Sequence, residues 1–197
     1  MEGATVLNDG MPADLGVSDR GHEVQYYEHS RFLVGRVADF VAPGLEAGEG
    51  AVVIATPKHA DLITAELLAR GVDVASATAG GSLVVLDAVE TLGKFMLAGR
   101  PEPSLFQAVI GSTVEAARAK ATVPIVRAFG EMVAVLWAQG RPSAAIALED
   151  LWNRLLGHHP LSLLCGYPID QLDPSDVEKV SALHTRAAGA KVNAPDA

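Results

Sequence analysis

Ile125-Val126-Arg127-Ala128-Phe129-Gly130-Glu131-Met132 is the stretch that decides the fold. An apolar run, Ile125–Phe129, ends there, and a helical pattern over Glu131–Gln139 starts directly behind it with a carboxylate in its first turn. A buried strand feeding straight into a helix is the unit of parallel sheets, and such junctions carry the ligand-handling groups of those proteins.

Working outward, four further apolar runs read as strands: Glu23–Tyr27, Ala51–Ala55, Leu83–Leu86 and Leu161–Cys165. Ala51–Ala55 and Leu83–Leu86 are almost continuously apolar, as strands covered on both faces must be. Helical spacing separates them. Arg31–Val41 ends at Pro43-Gly44, His59–Arg70 stops at Gly71, and Val89–Ala98 stops at Gly99-Arg100-Pro101. Ser104–Lys120, Ser143–Leu156 and Pro174–Arg186 follow, the last with Asp173 as N-cap and Pro174 at the first helical position. Alternating strands and helices require parallel pairing through long right-handed crossovers. The fold class is therefore α/β, a three-layer sandwich with a mainly parallel central sheet.

At 197 residues and 49% hydrophobic content, the chain suits one domain with an aliphatic core, since aromatics supply only 5%. Met1–Arg20 reads as a disordered leader, residues 21–186 as the domain, and residues 187–197 as a flexible tail. A formal charge of −9 with scattered cations argues against nucleic-acid binding, which depends on neutralising phosphates. No apolar run approaches the ~20 residues needed to cross a bilayer. Cys165 is the one cysteine, which excludes an intramolecular disulfide and suits a cytoplasmic location. Its strand setting reads as a buried, inert thiol. Trp137 and Trp152 read as core anchors.

Because all the strands run one way, their carboxyl ends share one edge, the default ligand pocket. The first strand delivers Tyr27, Glu28 and His29 there, and the second delivers Thr56, Lys58 and His59. The third delivers Asp87, the fourth Gly130 and Glu131, the fifth Gly166, Tyr167 and Pro168. Tyr27, His29, Lys58, His59, Asp87, Glu131 and Tyr167 are the candidate ligand-binding residues. Asp87 serves equally as an ordinary N-cap. Glu131 either caps its helix, favoured by the dipole, or joins a buried network for which Arg127, His29 and Lys58 are the available partners. Of the histidines, His158-His159 are adjacent and diverge by roughly 100° on a helix, too far to chelate together. A mixed metal site from His29, His59 and Glu131 is geometrically possible, but the reading assigns no metal, no cofactor and no catalytic residue. The first strand–helix junction, Tyr26-Tyr27-Glu28-His29-Ser30-Arg31-Phe32, lacks the Gly-x-x-x-x-Gly-Lys-Ser/Thr loop of nucleotide hydrolases. No Gly-x-Ser-x-Gly elbow is present either.

At these same segments the chain resembles the MEDS family, the methanogen/methylotroph sensory domain of DcmR-type regulators and sensor kinases. The resemblance rests on His22–Tyr27, Gly44–Glu49, Arg127–Met132, Ala147–Asn153 and Leu163–Pro168, in the family's order across roughly residues 20 to 186. It implies a RecA/KaiC-like sheet that has lost its phosphate loop, and it singles out His22, Tyr27, Glu131, Glu149, Trp152, Asn153 and Tyr167. It also implies a non-enzymatic sensory and signal-transduction role. The chain would bind a small organic ligand, or a partner protein, at the strand carboxyl ends. It would then regulate a separate kinase, anti-sigma-type protein or transcription regulator, with a homodimer among the possibilities. The alternatives are a degenerate nucleotide-binding protein with residual hydrolysis and a pure interaction scaffold.

Overall fold

The computed structural model describes residues 21–188. The leader, and the tail beyond residue 188, lie outside the described residues. A six-stranded sheet in the order β3-β2-β6-β7-β1-β8 forms the middle layer. Its strands are β1 (His22–Tyr27), β2 (Gly50–Ala55), β3 (Leu83–Asp87), β6 (Val126–Gly130), β7 (Leu161–Pro168) and β8 (Arg186–Ala188), all pairing in parallel. A small antiparallel ribbon, β4 (Met96–Leu97) and β5 (Arg100–Pro101), stands apart. The three-layer α/β expectation is met.

Side-chain alternation along the strands sends residues to two cores. On one face Ala51, Val53, Ala55, Leu83, Phe129 and Leu164 pack under helices α1 (Ser30–Glu46), α2 (Pro57–Ala69) and α3 (Val74–Gly80). On the other, Val24, Tyr26, Val52, Ile54, Ala128, Leu163, Cys165 and Tyr167 pack under the remaining helices. These are α4 (Ala88–Phe95), α5 (Pro103–Phe106), α6 (Ser112–Lys120), α7 (Met132–Ala138), α8 (Pro142–Leu156) and α9 (Pro174–Ala182). Gly166 is fixed by this packing: a β-carbon there would lie 2.9 Å from Leu33 Cδ1 and 3.3 Å from a Phe129 ring carbon. Trp137 and Trp152 are buried as core anchors. Among the described residues no helix is long and apolar enough to cross a membrane.

Several boundaries differ from the sequence reading. Helix α1 runs through Pro43 to Glu46, because the missing proline N–H falls in the last turn, which still closes through Ala47 N–H to Pro43 O at 3.0 Å. Helix α4 ends at Phe95 because Ala98 and Gly99 both take positive φ (48° and 85°), turning the chain into the β4–β5 ribbon. The expected Ser104–Lys120 helix is interrupted by one wide turn at Gln107–Gly111. Helix α9 ends at Ala182, and Arg186–Ala188, assigned to a helix end and a tail, instead pair with β1.

Candidate functional site

Adjacency of β2 and β6 builds the carboxyl-edge site. Ile54 stands opposite Gly130, and Glu131 N–H continues the ladder to Ile54 O at 2.9 Å. This brings the Glu131 side chain over the end of β2. One of its oxygens, Oε2, accepts from Thr56 N–H (2.8 Å) and Thr56 Oγ1 (3.1 Å); the other, Oε1, meets His59 Nδ1 at 2.5 Å. Glu131 occupies the N-cap position of α7, yet its side chain makes no capping hydrogen bond. The network reading is therefore what the geometry supports, with Thr56 and His59 as partners rather than Arg127, His29 or Lys58.

Across the imidazole, His59 Nε2 meets Ser30 Oγ at 2.8 Å. Tyr27 stands edge-on to the same ring, 6.2 Å between centroids. Burial, and then the charges of Glu131 and Asp170, push the Tyr27 phenol above its ordinary value. A hydrogen-bonded chain thus runs from Thr56 through Glu131 and His59 to Ser30. Glu131 and His59 are buried, while Ser30 at its end is half-buried.

The remaining candidates disperse. His29 and Lys58 are exposed, and the side-chain hydrogen bonds of Glu131 go to Thr56 and His59 instead. Asp87 is an N-cap, accepting from Glu90 N–H at 2.7 Å. Arg127 pairs with Glu49 through Nε–Oε2 at 2.5 Å and donates from Nη1 to Phe40 O at 2.9 Å. Gly44 leaves room for that pair, since a β-carbon there would come within 2.5 Å of Arg127 Nε. Tyr167 does not wall the carboxyl-edge site. It belongs to the opposite face of the sheet, where its hydroxyl donates to Glu149 Oε1 at 2.8 Å.

Tyr167 leads to a second constellation that local spacing did not reveal. His22 opens β1, Cys165 lies on β7 beside Val24, Glu149 projects from α8, and His184 follows α9. Glu149 Oε2 is 3.2 Å from His22 Nε2 and 3.5 Å from Cys165 Sγ, while Oε1 is 3.4 Å from His184 Nε2. The two imidazole centroids are 4.0 Å apart. Asn153, one turn along α8 from Glu149, meets His22 Nδ1 through Oδ1 at 2.9 Å. Complete burial pushes the Glu149 carboxyl up, but His184 and His22 outweigh it and hold the group well below the usual carboxylate range. Burial, then Glu149, pushes the Cys165 thiol well up, and Tyr167 likewise. The inert-thiol reading of Cys165 thus describes its burial but missed its company. The signal available in the sequence was that His22, Glu149, Asn153 and Tyr167 all fall in the MEDS-like segments.

A cleft of about 570 Å³ opens at the amino ends of the strands, lined by Gly21, His22, Asn153, His158, His159 and Thr185 among others. It lies at the edge opposite Glu131 and touches the second constellation at His22 and Asn153.

No curated protein matches the chain in sequence. A family model described as MEDS, the MEthanogen/methylotroph, DcmR Sensory domain, matches residues 21–185. The chain belongs to this family of sensory domains.

Proposed function

We propose, from this membership in the MEDS family, that the chain is a non-catalytic sensory domain that binds a small organic ligand at the carboxyl edge and regulates an output protein. The observation that carries this reading is the hydrogen-bonded chain ending at Ser30. Its members come from the first turns of α1 and α2 and from the β6–α7 junction. A polar ligand group engaging Ser30 and the Tyr27 hydroxyl would therefore bear on three helix starts at once, a route from binding to a change in surface shape. The link between β1 and α1 is just Glu28-His29, with His29 extended (φ −129°, ψ 135°) and no glycine to wrap amides around a phosphate. This favours an organic ligand over a nucleotide.

The test is a thermal-shift titration of the full chain against small organic alcohols, acids and halides, with ATP and GTP alongside. A ligand that raises the melting temperature in proportion to log concentration, as linkage requires, with the rise lost in Ser30→Ala and Tyr27→Phe, supports the proposal. A panel without any stabilising organic compound counts against it, and stabilisation by a nucleotide would replace it with the degenerate nucleotide-binding reading.

A protein partner is a second reading, favoured by Phe32, 72% exposed on the first turn of α1 beside a cleft of about 540 Å³. Light scattering of wild type and Phe32→Asp decides whether that ring holds two copies together. A dimer lost in the variant supports it, and a monomer in both removes self-association.

A further inference from the structure

We infer that His22, Glu149, Cys165 and His184 form a buried tetrahedral site for a divalent transition metal, with zinc the best match. Their donor atoms all lie within 4.8 Å of one another. Ligand bonds of about 2.0–2.3 Å around a tetrahedral ion place the donors roughly 3.3–3.8 Å apart. The separations are 3.2 Å for His22 Nε2 to Glu149 Oε2 and 3.3 Å for His22 Nε2 to Cys165 Sγ. Cys165 Sγ to Glu149 Oε2 is 3.5 Å, and His184 Nε2 to Glu149 Oε1 is 3.4 Å. His22 Nε2, Cys165 Sγ and Glu149 Oε2 thus form one triangular face of a ligand cage, and His184 Nε2, nearest the other carboxylate oxygen, is the fourth corner within the 4.8 Å limit.

The outward-facing atoms specify the same thing. His184 Nδ1 donates to Val180 O at 2.7 Å, which leaves Nε2 as the lone-pair nitrogen. Asn153 Nδ2 donates to Leu183 O at 3.1 Å, so Oδ1 is the acceptor presented to His22 Nδ1, and the His22 lone pair is also on Nε2. Both lone pairs therefore point inward at a carboxylate. His184 Nε2 is buried and, among the described residues, has no hydrogen-bond partner, facing Glu149 Oε1 at 3.4 Å. An imidazole whose Nδ1–H is anchored on an oxygen while Nε2 faces a carboxylate and a sulfur is the arrangement that metal-ligating histidines adopt. The Tyr167 hydroxyl, donating to Glu149 Oε1, fixes the carboxylate in the same way.

The donor set also matches the charge of a divalent metal. A divalent cation bound by the Glu149 carboxylate and the Cys165 thiolate is neutral overall; the thiol proton passes to solvent as the sulfur–metal bond forms. The sulfur, imidazole and carboxylate donors at tetrahedral spacing select zinc over magnesium or calcium. Four protein ligands close the site, which suits a structural or regulatory ion rather than a catalytic one. The cleft at His22 and Asn153 supplies the way in. The ion would bind β1, β7, α8 and the segment leading to β8 into one unit. This inference is independent of the carboxyl-edge ligand.

The experiment is a cobalt(II) titration of the full chain after chelator treatment and dialysis. One equivalent should give intense tetrahedral d–d bands in the visible and a thiolate-to-cobalt charge-transfer band in the near ultraviolet, both erased by one equivalent of zinc. Cys165→Ser should lose the charge-transfer band, and His184→Gln should weaken cobalt binding by tenfold or more, each with wild-type circular dichroism. Absence of tetrahedral bands in the wild type overturns the inference even if a variant fails to fold. So does a spectrum that both variants leave unchanged, which would place the cobalt elsewhere.

Discussion

Replacing Glu131 with alanine should cost the fold about 3 kcal/mol, because it forfeits hydrogen bonds from His59 and Thr56 to a carboxylate, worth roughly 1.5–3 kcal/mol each. The structure selects the low end. Glu131 is 3% exposed and His59 7%, so the imidazole loses its carboxylate in a place water does not reach easily. Thr56, by contrast, is half-buried, and both its N–H and its hydroxyl can turn to water. With about 2–4 °C of melting temperature per kcal/mol for a domain of this size, the alanine variant should melt roughly 6–12 °C lower. Glu131→Gln keeps the shape and an oxygen for Thr56 N–H, so its cost should be nearer 1 kcal/mol, a single hydrogen bond's worth. Urea denaturation of the three proteins at neutral pH measures both numbers. An alanine variant within 0.5 kcal/mol of wild type, roughly the scale of a plain surface substitution, would refute the claim that the network is desolvated. A glutamine variant as unstable as alanine would refute the ranking.

Other outcomes follow from neighbouring geometry. Arg127→Ala strands the Glu49 carboxylate, 6% exposed, without its guanidinium, and should cost about 3 kcal/mol in urea denaturation. Adding Glu49→Gln should recover at least half of that. Gly166→Ala drives a methyl against Leu33 and Phe129 and should cost about 1–3 kcal/mol of overpacking, read as a lower melting temperature. Tyr26, Tyr27 and Tyr167 are the three tyrosines, and burial raises all of them. Tyrosinate absorbance should therefore be absent in the folded chain at pH 10, where an unfolded phenol is about half ionised. A phenol raised by folding contributes its full stability below the unfolded value and loses it as pH climbs toward the folded one. Stability should accordingly fall from about pH 10 upward, and Tyr27→Phe should flatten that fall.

The main strands were legible as apolar runs: β2 is buried on both faces as its run demands, whereas β3, expected to be covered likewise, is an edge strand with Val85 exposed. Helix α3 was not, because Val-Ala-Ser-Ala-Thr-Ala-Gly has no apolar period; Asp73 capping Ser76 N–H at 2.9 Å and packing of Val74 hold it. Strand β8 is three residues long and exposed, so only its pairing with β1 defines it. At the carboxyl edge, Tyr27, His59 and Glu131 converge because strand direction alone puts them on one edge. Tyr167 was misplaced because strand ends were read without regard to face: it alternates onto the same side as Cys165. The second constellation depends on β7, β1 and β8 being neighbours. His22 and Cys165 are 143 residues apart, and no local period reports such a meeting.

The strand order also sets a timetable. β1 is synthesised first, yet its partners are β7 and β8, the last strands of the sheet. Its first rung, His22 against Leu163, waits for the ribosome to add 163 − 22 = 141 residues. At ~5–20 residues per second this takes roughly 7–28 s. During that interval Val24 and Tyr26 have no sheet to join, while β2, β3 and β6 can already assemble behind them. Assembly of this sheet must therefore end with its earliest strand, inserted between the last two, and a chain halted before Leu161 would be left with an orphaned β1.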